Sequence, residues 1–355
     1  MSTETQIDLP AAVVSIAGPV RARIERALDE HLHMWTAIDP ALRAPLSSIR
    51  RLVLSGGKRL RPAFCHWGFR AAGGEPDDPR VIDAGAAFEL LHAFALIHDD
   101  VMDGSALRRG ATTVHLEFAD THVESSWRGE HRRFGDGVAI LAGDLAAVLA
   151  DELLADLPAE ALTVWNRLRL EVNIGQYLDI LGAAEGTTDL ARARLIARYK
   201  SGKYTVERPL HLGAAIGGGL DELAPVLSAY GEPLGEAFQL RDDLLGVFGD
   251  PEVTGKPVGD DLREGKPTTL LVICRQRVGA SDAALLDRVG EGDLDESEVD
   301  ELRGLFERTG ARAAVEEAID QLTAQAISQL EHAPVPPEVH HALVQLAHYV
   351  GWRDH

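Results

Sequence analysis

The sequence predicts an all-α fold. Strand signals are nearly absent: aromatic residues make up 5% of the chain, and alternating β-branched runs between turn residues are hard to find. Apolar residues instead recur at helical spacing, through segments rich in Ala, Leu, Glu and Arg. Breaks in that spacing fall where helices should start or stop. The pattern gives helices at about 16–38, 45–54, 61–72, 80–103, 136–155, 159–182, 188–216, 221–249, 267–278, 296–308, 310–331 and 336–351. Pro62 suits a first helical turn and Gly73-Gly74 a stop. The helices of 80–103 and 159–182 are apolar around much of their circumference, which suits central positions. Residues 104–135, including HVESSWRGEHRRFGDG, read as a charged surface loop. Residues 250–266 carry too much Gly, Pro and Asp for a helix, and the acidic 291–304 reads as a solvated connection. With no solenoid period and no low-complexity linker, 1–355 reads as a single all-helical domain, flexible over residues 1–15.

Composition narrows the function. The formal net charge is −21 and the pI about 5.0, which argues against nucleic acid, because its backbone needs a basic footprint. Anionic small substrates stay open if local cations or metal ions gather them. The two cysteines, Cys65 and Cys274, have no metal-ligand spacing and suggest a reducing, cytoplasmic compartment. The first residues lack a basic n-region, so no signal peptide is expected. No apolar run is expected to reach the ~18 residues of a membrane span.

The stretch LLHAFALIHDDVMDGSALRRGATTVH, residues 90–115, holds the first chemical signal. Residues four apart share a helix face, so Asp99 and Asp103 point the same way, with Asp100 beside them. Two unneutralised carboxylates there repel each other and oppose the helix dipole. A solvated helix end would tolerate them. So would magnesium, which takes hard oxygen ligands shared between one or two carboxylates and substrate phosphates. A second pair, Asp242-Asp243, ends another apolar helix in EAFQLRDDLLGVFGDPEVTGK. Two such pairs flanked by basic residues suggest opposing walls of a metal–phosphate site.

The cations fit that reading. LSGGKRLRP places Lys58, Arg59 and Arg61 at a Gly56-Gly57 turn leading into a helix, either as solvated residues or as a diphosphate cradle. Arg108 and Arg109 offer forked donors, and Lys200, Lys256 and Lys266 add movable charges. His92 lies on roughly the face of Asp99, either as a core histidine or as a phosphate contact. His98 reads as packing. His340, His341 and His348 show no metal-ligand pattern, and AAIGGGL at 214–220 follows no strand, so a dinucleotide site is not expected.

In this order, GGKRLRP, HAFALIHDDVMD, RRG, GDLA, GQYLDI, KSG, FQLRDD and TGKPVGDDLREGK resemble the trans-isoprenyl diphosphate synthases, or polyprenyl synthetases, over roughly residues 45–350. The similarity is greatest to geranylgeranyl diphosphate synthases of bacterial type. The resemblance implies an isoprenoid synthase-type helical bundle around a deep central cavity, working as a homodimer. It implies magnesium-dependent condensation of isopentenyl diphosphate with allylic diphosphates. Geranylgeranyl diphosphate is the expected product and farnesyl diphosphate the other. It implies about three magnesium ions with diphosphate bound.

Carried over by motif, Asp99, Asp103, Asp242 and Lys200 are the catalytic group. Asp99, Asp100, Asp103, Asp242 and Asp243 are the metal residues. Gly57, Lys58, Arg61, His92 and Arg109 belong to the isopentenyl diphosphate site, and Arg108, Lys200, Gln239, Lys256 and Lys266 to the allylic diphosphate site. Gln176 and Asp179 are possible cavity-lining residues. Phe94 and Ala95, five and four residues before Asp99, are the expected chain-length determinants. One departure stands out: the second motif usually reads Asp-Asp-x-x-Asp, whereas Gly246 holds its last position, and Asp250, Asp260 or Asp261 is a possible substitute. A class I terpene cyclase would share the ionisation chemistry without needing a second diphosphate cradle. A non-catalytic subunit of a heteromeric synthase should have lost an acidic pair or the cradle, and this chain keeps both.

Overall fold

The computed structural model describes residues 9–249, 259–279, 282–292 and 294–353. The helices are α1 (Ala11–Thr36), α2 (Arg43–Leu54), α3 (Leu60–Ala71), α4 (Pro79–Asp103), α5 (Val114–Glu124), α6 (His131–Leu153), α7 (Ala159–Glu185), α8 (Leu190–Ala197), α9 (Arg208–Ile216) and α10 (Leu220–Phe248). They continue as α11 (Asp260–Arg263), α12 (Thr269–Arg277), α13 (Ala283–Asp287), α14 (Glu296–Arg308), α15 (Ala311–Ser328) and α16 (Pro337–Trp352). Among the described residues the one sheet is a hairpin of β1 (Leu107–Arg108) and β2 (Ala111–Thr112), paired antiparallel. Its two-residue turn, Arg109-Gly110, has positive φ at both positions, the twist that tight hairpins favour.

Apolar spacing locates most of these elements, and the differences have physical causes. The N-terminal stretch is helical from Ala11, not irregular to residue 15, because Ala12, Val13, Ile16, Val20 and Ile24 form a buried stripe. Residues 104–135 are not a loop. They hold the hairpin, α5 and the start of α6, and α5 was hidden because two of its buried positions are His115 and His122. Glu130 caps α6 by accepting from the backbone N–H groups of Arg132 and Arg133 at 2.9 and 2.7 Å. In the acidic 291–304, Asp295 and Glu298 form a capping box that starts α14.

The helix expected over 188–216 is interrupted. Arg198–Glu207 winds as a π-helix between α8 and α9, a widening often found at functional sites. Helix α4 is apolar on most sides and packs against α6, α3 and α1. Contrary to the sequence expectation, it is long and apolar enough by length and composition to cross a membrane. Burial within the fold explains that composition, since 61% of its apolar window is covered. One apolar core gathers around α4, and a second gathers the end of α10 with α11–α15.

Candidate active site

The C-terminal end of α4 supplies the first acidic wall. Asp99 accepts hydrogen bonds from Gln176 of α7 at 2.9 Å and from Lys200 of the π-helix at 3.2 Å. Lys200 also reaches Asp179 at 2.5 Å. Burial opposes its charge, but Asp99 and Asp179 outweigh that and raise its pKa. Gly175 makes this meeting possible: a Cβ there would lie 2.2 Å from the backbone nitrogen of Lys200. Asp103 is met by Lys266 at 2.8 Å. Lys266 too resists burial, with Asp261, Asp103 and Asp99 holding its pKa well above the ordinary value. Asp100 is buried and turned toward Arg108, whose Nε donates to it at 2.8 Å.

The end of α10 supplies the second wall. Asp242 is ion-paired with Arg353, and Asp243 accepts from Gln239 at 2.7 Å. Burial pushes Asp243 up to about 8 against the Gln239 bond, with Asp261, Asp242 and Asp179 adding to the rise. At Gly246 a Cβ would lie 2.5 Å from Asp261 Oδ2. The carboxylate missing from position 246 therefore has a neighbour in its place, supplied by α11.

The cations form a third region. Gly57 has φ +136°, and a Cβ there would sit 3.3 Å from Arg109 Nη2. Arg109 Nη1 in turn donates to the carbonyls of Leu52 and Gly56 at 2.9 and 2.6 Å. Arg59 is committed to structure: it is buried, ion-paired with Glu89 and bonded to the Val53 carbonyl at 2.7 Å, which holds its own positive φ. Arg61 lies 4.3 Å over the Tyr204 ring. The first turn of α3 has no side-chain cap. Burial, helped by Arg353 and opposed by Asp242, lowers Lys58 to about 8. Burial and then Arg61, Arg109, Arg108 and Arg59 hold His92 well below the ordinary histidine value, so it is neutral.

These regions line a single cavity of about 680 Å³. Its lining includes Gly57, Lys58, Arg61, His92, Asp99, Arg108, Arg109, Lys200, Gln239, Asp242, Asp243 and Lys266. Lys256 lies outside the described residues. Phe94 faces a second cavity of about 400 Å³, with Leu91, Ala147, Asn166, Leu170 and Asn173. By helical geometry it points roughly 140° away from Asp99, while Ala95 sits on the flank between. Sequence reasoning passed over Asp179 and Gln176 as firm site residues, although GQYLDI carried them. It missed Tyr204, Glu89 and Arg353, which stand in no recognisable pattern.

Among the described residues, no three carboxylates or histidines converge as a ready metal cage. The donor set nonetheless fits magnesium: hard oxygen ligands on two walls of one cavity, each with a chain cation beside it. Such ions are commonly completed by substrate phosphate oxygens.

An all-helical bundle with paired acidic walls and a basic cradle defines an enzyme class that handles diphosphates. The polyprenyl synthetase family profile matches residues 44–306. The short chain isoprenyl diphosphate synthase of Methanothermobacter thermautotrophicus is 33% identical over 87% of this chain and 90% of its own. A geranylgeranyl pyrophosphate synthase structure from Corynebacterium glutamicum, complexed with isoprenyl diphosphate and magnesium, is 40% identical with a TM-score of 0.89, covering 94% of this chain and 97% of that one. A polyprenyl synthase structure from Caulobacter crescentus, complexed with calcium and isoprenyl diphosphate, is 29% identical with a TM-score of 0.80, over 97% and 98% of the two chains. The chain belongs to the polyprenyl synthetase family and is a prenyltransferase.

Proposed function

We propose that the protein condenses isopentenyl diphosphate with an allylic diphosphate in a magnesium-dependent reaction, giving mainly geranylgeranyl diphosphate, with farnesyl diphosphate as the other product. The observation that carries this reading is the convergence of two acidic walls and one basic cradle on a single cavity. Asp99 and Asp103 on one wall, and Asp242 and Asp243 on the other, would hold magnesium, which when bound stabilises the charge gathering on the departing diphosphate. Lys200, Lys266, Arg108 and Gln239 orient that diphosphate. Lys58, Arg61, Arg109 and the neutral His92 hold isopentenyl diphosphate at the uncapped start of α3. Once the allylic carbon–oxygen bond breaks, the double bond of isopentenyl diphosphate attacks the allylic cation, and the new chain gives up a proton to the departed diphosphate. A terpene cyclase would have no use for the second cradle.

The chain-length reading is supported by a groove along α4 and α7, which run side by side in the same direction. Asp99 and Gln176 stand at its top, and Phe94, Leu91, Asn173 and Asn166 lie further down. A growing tail would pass small Ala95 to reach the second cavity, where Phe94 forms part of the wall. The homodimer reading is supported by an exposed apolar face on α6 and α7, with Leu141, Val148, Leu170, Ile174 and Tyr177. The two free, buried cysteines agree with a reducing, cytoplasmic compartment, and α10, shared by both cores, with one domain. The test is chromatography of dephosphorylated products from labelled isopentenyl diphosphate with dimethylallyl, geranyl or farnesyl diphosphate as primer. Twenty-carbon alcohol is expected. Product from an allylic diphosphate alone would overturn the reading.

A further inference from the structure

Arg353 follows α16 and turns back into the second acidic wall. Its side chain is fully buried, its guanidinium is ion-paired with Asp242, and Nη2 donates to the Phe238 carbonyl at 3.1 Å. The same guanidinium lies 4.1 Å over the Phe238 ring. Nε and Nη1 are buried and have no partner among the described residues. The helix that delivers it is fixed at several points. Tyr230 donates to the Leu343 carbonyl at 2.7 Å, Arg241 Nε to that of Gly351 at 2.9 Å, and Trp352 to Asp320 at 2.9 Å. Lys200 and Lys266, the partners of Asp99 and Asp103, are long flexible chains that can swing onto a phosphate. Arg353 is a planar group held by a ring, a carbonyl and a carboxylate, so it stays beside Asp242.

We propose that Arg353 is a resident counter-cation of the second acidic wall: it neutralises Asp242 in the substrate-free enzyme, so that divalent metal loads onto this wall together with a diphosphate and not before it. This rests on the proposed function. A lone metal ion meets an Asp242 already matched by a fixed positive charge. A metal–diphosphate unit brings its own negative oxygens, which reverse the local balance and give Arg353 and nearby Lys58 an anion to share. Arg353 thereby makes the second wall selective for the loaded substrate.

The test is manganese binding, counted by paramagnetic resonance of free Mn²⁺, with and without inorganic diphosphate. Arg353→Gln should bind Mn²⁺ at least about fivefold more tightly than wild type without diphosphate, the scale of a modest coupling between sites. Arg353→Lys, which keeps the charge, should stay near wild type. Asp242→Asn should change diphosphate-free affinity by less than about twofold, yet weaken binding by about tenfold or more once diphosphate is present. Unchanged or weaker binding by folded Arg353→Gln would overturn the proposal. So would a large loss in Asp242→Asn without diphosphate, which decides the matter if Arg353→Gln does not fold. If wild type binds no Mn²⁺ even with diphosphate, the proposed function falls as well. If it does bind with diphosphate and Asp99→Asn removes that binding, the proposed function stands, whatever happens to Arg353.

Discussion

Asp99 and Asp242 are alike in chemistry but differently held. Asp99 is met by an amide and a lysine, Gln176 and Lys200, while Asp242 is paired with an arginine anchored elsewhere. If both hold metal against the leaving diphosphate, Asp99→Ala and Asp242→Ala should each lower turnover by about 10²–10³, the effect of removing an electrostatic stabiliser from such a site. Circular dichroism should be unchanged, and near-normal activity in either variant would refute the two-wall arrangement. Gly246 makes a finer case. The carboxylate of Asp261 stands where a side chain at 246 would begin, so Gly246→Asp must push the end of Asp261 aside and add a like charge. The fold should survive, because only a flexible side chain gives way. Half-saturating magnesium should move more than the maximal rate. A titration with the half-saturation point unmoved would place position 246 beyond the influence of the metal.

At the scale of elements, the groove between α4 and α7 makes product length a question of geometry. Phe94 lines the lower cavity and touches the His98 ring edge-on, with centroids 4.6 Å apart. Phe94→Ala should therefore enlarge the far end and lengthen the product, whereas Ala95→Phe should block the passage and shorten it. Both are read as alcohol chain lengths, and wild-type length from both variants would remove this groove as the ruler. The same helices mark how far sequence could reach. Asp99, Asp103, Asp242 and Asp243 were legible because acids inside apolar helices demand an explanation. Helix α4 was legible as central because it lacks a polar face. The π-helix was not, since its residues pass as ordinary helix formers and the glycine it packs closely against, Gly175, lies on another element. Arg353 was invisible because its contact spans 111 positions of chain, and pairing over such a distance leaves no local pattern. Helix α5 escaped because buried histidines read as polar.

For the whole molecule, stability should depend on pH through two histidines unconnected with metal. His66 on α3 and His211 on α9 are 3% and 5% exposed, on helices that pack against each other. Burial lowers His66 to about 4, with Arg70 adding to the effect and Asp77 opposing it. Burial lowers His211 to about 4 as well, against the pull of Glu207 and with Arg208 helping. The neutral ring of His211 suits its neighbours: Arg208 Nη1 lies 3.0 Å from Nδ1, and Ser228 Oγ lies 3.1 Å from Nε2. In both cases the folded value lies below that of the unfolded chain, about 6.5. Between those values the unfolded chain binds more protons, so stability rises with pH there. The contribution is complete above about pH 6.5 and is lost as pH falls toward about 4. For one such histidine, the loss between about pH 7 and 5 is on the order of 2 kcal/mol. His66→Phe preserves an aromatic edge beside Trp67 and removes one titrating group. Urea denaturation at both pH values should show the variant losing about 2 kcal/mol less than wild type on acidification. Equal losses in the two proteins would mean that His66 takes up its proton as readily folded as unfolded.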